Sequence, residues 1–284
     1  MTADVLSGWE WASGSVQGRE HWLARRNNQD ASCVLAGPDA LVAVVADGCG
    51  SAPHSEVGAR LASALLARTL ARRAAAARPA CRDESAALLG DALDEVLATL
   101  EVVAGGRGTD ALPWVRDHLL ATALGVVVTA ERALVFRVGD GVVGVNDAFA
   151  THAAPGNTPP YLAYRLLPPE CCRLDAAALA PAIEWEGPAE SLASVVLATD
   201  GAAELRVGES DPHATLRAWL GDDRLYRHPV ALGRRLVQLA RDEQAIDWDE
   251  RQLRRRPGVL RDDTSLVLLR RRPAGMPDED RPHA

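Results

Sequence analysis

Lysine is absent from this 284-residue chain: the 31 basic side chains are all arginine, set against 39 acidic ones for a formal net charge of −8. That acid excess argues against nucleic acid as the main partner, because duplex binding draws on phosphate neutralisation by basic side chains. The five cysteines, Cys33, Cys49, Cys81, Cys171 and Cys172, form no CxxC and no Cys/His spacing. A structural zinc site and a disulfide frame are therefore not expected, and the thiols read as reduced. No apolar run approaches the ~18 residues of a membrane span; the longest, Ala121 to Ala130, carries threonines and is closed by Glu131-Arg132. Met1 to Ser13 has neither a basic start nor an apolar stretch, so no signal peptide is expected and the chain reads as soluble and cytoplasmic.

What is present is ordinary globular material, 48% hydrophobic and 25% charged, which excludes an intrinsically disordered chain. Leu41 to Ala46 is a continuous apolar run that ends on Asp47-Gly48, as expected of a strand buried on both faces. Apolar residues at helical spacing predict helices over Ser55 to Arg73 and Glu84 to Val103, the second stopped by Gly105-Gly106. Strands are predicted at Ala121–Thr129, Ala133–Val138 and Val142–Asn146, with connections short enough for antiparallel neighbours. Thr151 to Pro169 holds five prolines and reads as a loop or flap. Ser194–Thr199 and Ser265–Leu269 read as further strands, and His213–Leu220 and Pro229–Arg241 as helices. This order of elements predicts an α+β fold, a four-layer α-β-β-α sandwich in which an antiparallel β-sandwich is flanked by helix pairs. We expect one domain over residues 1–272 and a disordered tail over 273–284.

The apolar strands share a punctuation mark. Asp47 follows the first, Asp140 follows Val138, Asp200 follows Leu197-Ala198-Thr199, and Asp262-Asp263 precede the last. Each Asp-Gly on its own is equally a turn dipeptide. Taken as a set, carboxylates gathered at one edge of a layered fold must protonate or bind cations. Oxygen-only donors select hard ions such as Mg²⁺ or Mn²⁺.

These segments resemble, in order, the motifs of the metal-dependent type 2C protein serine/threonine phosphatases. Arg25-Arg26-Asn27-Asn28-Gln29-Asp30 is similar to the opening Arg-x-x-Asn-Glu/Gln-Asp box, and Val45-Ala46-Asp47-Gly48-Cys49-Gly50-Ser51 to the Val-Ala-Asp-Gly-x-Gly-Gly strand end. Val138-Gly139-Asp140-Gly141 resembles the Gly-Asp-Ser-Arg box, Leu197-Ala198-Thr199-Asp200-Gly201 the Leu-Ala-Ser/Thr-Asp-Gly box, and Asp262-Asp263-Thr264-Ser265 the closing box. The resemblance runs from about Gly14 to Leu269. It implies a phosphatase acting on phosphoserine and phosphothreonine of proteins through water activated by two Mn²⁺ or Mg²⁺ ions. Asp47 would bridge the ions with the Gly48 carbonyl on one of them, Asp200 and Asp262 would hold the other, and Asp30 would assist through water. Asp140 would serve a further, weaker metal site, and Arg25 would grip the substrate phosphate. The implied partners are a phosphorylated protein substrate and an opposing Ser/Thr kinase, with no nucleic acid and no membrane.

The chain departs from the family pattern in four places. Gln29 stands for a glutamate, Cys49 for a histidine proposed as general acid in eukaryotic members, Ser51 for a glycine, and Gly141-Val142 for Ser-Arg. They motivate the alternative of a catalytically weak or inactive phosphatase-like binding module; a small-molecule phosphohydrolase is a third reading. His54 and His21 read first as surface or capping residues and second as a substitute general acid, and Ser55-Glu56 first as helix capping and second as lining of the site. Arg251, Arg254, Arg255, Arg256 and Arg261 read as a solvated loop, or as a patch that attracts phosphorylated acidic segments. Trp9, Trp11 and Trp22 read as core or lid packing.

Overall fold

The computed structural model describes residues 8–172, 174–175 and 177–272, so the tail expected over 273–284 lies outside the described residues. In chain order the elements are β1 (Trp9–Val16), α1 (Arg19–Ala24), β2 (Ala31–Ala36), β3 (Ala40–Ala46), α2 (Glu56–Ala77), α3 (Arg82–Gly105) and α4 (Ala111–His118). β4 (Ala123–Thr129), β5 (Arg132–Val138), β6 (Gly141–Val145), β7 (Ala148–His152), β8 (Ala182–Pro188) and β9 (Ser194–Ala198) follow. The chain then forms α5 (Pro212–Leu220), α6 (Ala231–Ala240), β10 (Glu243–Asp247), β11 (Gln252–Arg256) and β12 (Thr264–Arg271).

Two five-stranded antiparallel sheets, ordered β2-β3-β4-β5-β8 and β1-β12-β9-β6-β7, face each other. The four-layer expectation holds, and the period-2 alternation of strands explains why its central strands are apolar throughout. In β3, Leu41, Ala43 and Val45 point into the core between the sheets, while Val42, Val44 and Ala46 point into the core beneath α2 and α3. In β12, Val267 and Leu269 face the intersheet core and Leu266 and Leu268 the core beneath α5 and α6. Each central strand thus serves two cores. Arg270 ties the outer layer down: it reaches Asp223 at 2.6 Å and Glu10 at 2.5 Å, with its guanidinium 4.1 Å over the Tyr226 ring.

The structure corrects several expectations. Only part of Thr151–Pro169 is a flap: Thr151 and His152 close β7, and Tyr161, Leu162, Ala163 and Leu167 are buried in the core under α2 and α3. Of the arginine run, Arg254, Arg255 and Arg256 lie in a strand, β11, paired with β10 in a hairpin of its own, while Arg251 is in its turn and Arg261 lies beyond it. Trp9 is buried and Trp11 half-buried, but Trp22 is 63% exposed. Ser55 does not cap α2; its hydroxyl donates instead to the Cys49 carbonyl at 2.9 Å. Among the described residues, no helix is long and apolar enough to cross a membrane.

Leu66 on α2 is fully buried in the helix-side core. Leu66→Ala is expected to lower unfolding free energy by about 2–5 kcal/mol, read from the urea midpoint, with an unchanged slope.

Candidate active site

The strand pairing carries the acidic residues to one edge. Ala31 opposes Ala46, so Asp30, just before β2, and Asp47, just after β3, meet at the same end. Val142 opposes Ala198 and Leu266 opposes Ala198, which brings Asp140, Asp200 and Asp262-Asp263 to the corresponding end of the other sheet. Between the two ends lies a cavity of about 60 Å³ whose lining includes Asp30, Asp47, Gly48, Asp140, Asp200, Asp262 and Asp263, together with His21, Gln29 and Tyr161. Such a volume holds a few ions or waters and no peptide segment.

The surrounding backbone is built to hold these carboxylates still. The Asp47 N–H donates to Thr122 Oγ1 at 3.0 Å and its carbonyl accepts from the Thr122 N–H at 2.8 Å. Thr199 Oγ1 donates to Asp30 Oδ2 at 2.6 Å and accepts from the Ser265 N–H at 2.9 Å. Asp140 sits between Gly139 at φ +99° and Gly141 at φ +133°, values open to glycine and strained for other residues. Gly18 lies so close to the Asp262-Asp263 peptide that a Cβ there would sit 2.1 Å from the Asp262 carbonyl carbon.

Electrostatics follows from the crowding. Burial pushes the Asp30 carboxyl well above its ordinary range, reinforced by the charges of Asp263 and Asp200. Burial does the same to Asp47, with Asp30 and Asp200 adding repulsion, and raises Asp140. Asp200 is pushed up to about 6 by burial and then by Asp262 and Asp140. Asp140 Oδ1 is buried with no hydrogen-bond partner among the described residues. An orphaned carboxylate oxygen among mutually repelling carboxylates is what hard divalent cations relieve, so the donor set fits Mg²⁺ or Mn²⁺.

Asp263 and His21 are more involved than the sequence suggests. Asp263 is buried and accepts from the Gly18 N–H at 2.7 Å, the Gln29 N–H at 2.6 Å and His21 Nδ1 at 2.6 Å. His21, Asp262 and Asp263 each offer one ligand atom, all within 4.8 Å of one another. The Asp262-Asp263 doublet was a signal for Asp263; nothing local marked His21, whose partner is 242 residues away. Asp262 itself is exposed, and its Oδ1 accepts from the Asp263 N–H at 2.8 Å.

The two adjacent arginines separate. Arg26 braces the loop after Asp47, donating to the Gly50 carbonyl at 2.6 Å and the Ala52 carbonyl at 2.9 Å. Arg25 closes α1 in a left-handed conformation, φ 56°. It is exposed, lies outside the residues lining the cavity, and its guanidinium has no protein partner among the described residues. Of the departures, Gln29 is buried with its amide nitrogen on the Ala52 carbonyl at 2.8 Å, a donation that a carboxylate could not make. Cys49 Sγ lies 3.2 Å from Ser51 Oγ. His54 is exposed and stacks on His118 with ring centroids 5.0 Å apart.

The family can now be assigned. The chain belongs to the protein phosphatase 2C family, whose model matches residues 17–224, so the hairpin and the Asp262 box lie beyond the matched segment. No curated protein sequence matches the chain. Among solved structures it is similar to a bacterial serine phosphatase (14% identity, 94% of this chain and 99% of the other, TM-score 0.56). It is also similar to the serine/threonine phosphatase Stp1 of Staphylococcus aureus (14%, 92% and 94%, 0.53). A third is PppA, a regulatory component of the type VI secretion system in Pseudomonas aeruginosa (19%, 93% and 98%, 0.51). At such identities the likeness establishes the fold.

The raised carboxyl pKa values fix the sign of a pH effect. The folded cation-free state holds protons that the unfolded state releases above about pH 4, so stability falls as pH rises from the ordinary value of 3.8 through about 6. In EDTA, Tm is expected to drop between about pH 4.5 and pH 7.5. Mn²⁺ should raise Tm more at pH 7.5 than at pH 4.5. A cation-free Tm that climbs over this window would contradict the assignment.

Proposed function

We propose that the acidic cavity is the active site of a protein serine/threonine phosphatase. The observation that carries this reading is the convergence of Asp30, Asp47, Asp140, Asp200, Asp262 and Asp263 from strand ends of both sheets onto one small cavity, with a buried Asp140 oxygen unpaired among the described residues. When bound, two Mn²⁺ or Mg²⁺ ions would supply the charge that makes water nucleophilic near neutral pH and neutralises the phosphoryl group. Asp47 and the Gly48 carbonyl would hold one ion, with Asp47 shared by both; Asp200 and Asp262 would hold the second. Asp140, close to Asp200, would hold a weaker third. Asp30, fixed by Thr199, would orient and deprotonate the attacking water from a stationary carboxylate. Arg25, whose guanidinium has no protein partner among the described residues and which is one helical turn from His21, would reach over the cavity mouth to bind two phosphate oxygens with its planar fork. The substrate is a phosphoserine or phosphothreonine side chain of a protein, returned to the pool of an opposing kinase in a cytoplasmic signalling circuit.

One observation favours the alternative, a phosphatase-like binding module without turnover. Gln29 donates its amide nitrogen to Ala52, and its buried Oε1, without a partner among the described residues, is a neutral oxygen, so the cavity has one anionic donor fewer than a glutamate would give. A single assay separates the two. With a phosphothreonine peptide and Mn²⁺, the protein is expected to release phosphate, EDTA to abolish release, and Asp200→Asn to lower kcat by about a hundredfold or more; equal rates for the wild type and Asp200→Asn would leave the binding module. Arg25→Ala is expected to raise KM for the peptide about tenfold or more, the loss of a charge-assisted hydrogen bond. Mn²⁺ affinity, followed by titration calorimetry, should stay unchanged.

A further inference from the structure

A second concavity, about 690 Å³, lies on the other side of α1 from the acidic cavity. The helix is the common wall: His21 lines the cavity, while Arg19 and Trp22 line the groove. The groove's apolar floor comes from Val237 and Ala240 of α6, and its far side is the β10–β11 hairpin, through Gln244 and Arg255.

The hairpin carries an unusual load for a surface element. Ile246 opposes Leu253 in the register, and both are more than half exposed, at 54% and 62%. They share a face with the Gln244–Arg255 pair, because residues two apart on a strand point the same way and opposed residues share a side. The face that lines the groove therefore continues outward as the apolar pair Ile246 and Leu253, and Trp248, in the turn that joins the strands, is 79% exposed. Of the ten large apolar side chains that are exposed among the described residues, six (Trp22, Leu23, Ile246, Trp248, Leu253 and Val259) belong to α1, the hairpin and its stem. A two-stranded hairpin is marginal on its own, and this one spends its apolar face on solvent.

Charge narrows the occupant. The groove is lined by the guanidinium groups of Arg19, Arg241 and Arg255 against the single carboxylate of Asp242. Asp242 is committed already: it accepts from Arg19 Nε at 3.0 Å and the Gly258 N–H at 3.1 Å, and pairs with Arg255 Nε at 2.9 Å. The Arg241 guanidinium has no hydrogen bond or ion pair among the described residues. Two positive charges are thus left over beside an apolar floor, on a chain whose net charge is −8.

We propose that this groove docks the segment of the protein substrate next to its phosphoresidue, and that the segment it takes is apolar with acidic residues interspersed. The proposal rests on the phosphatase reading of the adjoining cavity. The cavity is too small for anything but the phosphate and its ions, so contacts with the rest of the substrate have to come from outside it. The groove, one short helix away, supplies apolar area for Leu- or Ile-type side chains and cationic rims for their acidic neighbours.

The test uses the full chain, with p-nitrophenyl phosphate and two short phosphothreonine peptides that match around the phosphothreonine. One continues into Leu-Asp-Leu-Glu-Ile, on either side in turn, and the other into Ser-Gly-Ser-Gly-Ser. The acidic-apolar peptide is expected to have a kcat/KM about tenfold higher, carried by KM, and its dephosphorylated form to bind by fluorescence anisotropy. Ile246→Ser with Leu253→Ser should erase both effects and leave p-nitrophenyl phosphate hydrolysis as it was. Equal kcat/KM for the two peptides together with no binding of the dephosphorylated form overturns the proposal. So does dimerisation by light scattering that the double variant abolishes while no peptide binds, which would give the apolar pair to a second copy of the chain. Failure of the phosphatase reading shows separately, as no Mn²⁺-dependent hydrolysis of p-nitrophenyl phosphate. In that case peptide binding still supports the groove and its absence overturns it.

Discussion

Mutual repulsion among buried carboxylates is the constraint around which this end of the molecule is arranged. Asp47 is raised by burial and by four other aspartates at once, and among the described residues no arginine lines the cavity to offset them. In a medium of low effective dielectric such a cluster costs several kcal/mol per uncompensated charge. It persists because the groups are fixed from outside. Thr122 and Thr199 hold the backbone of Asp47 and the side chain of Asp30, and the glycines at 18, 139 and 141 let the chain approach where a Cβ would collide or strain. Both sheets direct their hydrogen-bonding strength to keeping these ends in register.

Two neighbouring pairs divide structural from chemical duty. Asp263 is saturated by two backbone N–H groups and His21, which welds α1 to the start of β12, whereas Asp262 keeps its second oxygen for the cavity. Arg26 is consumed by two carbonyls of the loop after Asp47, whereas Arg25 stays exposed at the end of α1. In each pair the bonded member makes geometry and the exposed member is left available. Removing the bonded member would move its neighbour, so loss of function at Asp263 or Arg26 would not by itself mark a ligand.

The four layers and the acidic edge were legible in the sequence because the central strands β3, β4, β9 and β12 are buried on both faces and read as apolar runs, and aspartates border β3, β9 and β12. Strands at or near the sheet edges were not. β1, Trp-Glu-Trp-Ala-Ser-Gly-Ser-Val, and β8, Ala-Ile-Glu-Trp-Glu-Gly-Pro, are half-buried, and their charges engage arginines on neighbouring strands, Glu10 with Arg270 and Glu186 with Arg132. The hairpin strands Glu-Gln-Ala-Ile-Asp and Gln-Leu-Arg-Arg-Arg carry one large apolar residue each, because they pack against no core. Long-range partnership hid His21: a single histidine in a six-residue helix has no periodic context, and only the closure of β1 against β12 places Asp263 beside it.

The acid excess that argues against nucleic acid has a further consequence once it is located. The cavity carboxylates hold protons at pH values where free aspartates are ionised, Asp200 to about 6. A divalent cation would bind the ionised oxygens, so filling the cavity would expel those protons, and apparent cation affinity would climb with pH until the cluster is fully ionised. Above that point the bound charge would replace the protons as the agent that makes the cluster tolerable. The groove across α1 has the opposite character: its arginines outnumber its one acid, and that acid is satisfied from three sides. Under the proposed reading, an acidic segment lying there would meet cations, while its phosphate would face a cavity whose anionic walls repel it unless ions offset them. On that reading charge alone would set the order, cation first and phosphate second, and the groove would hold the flanking segment through either step.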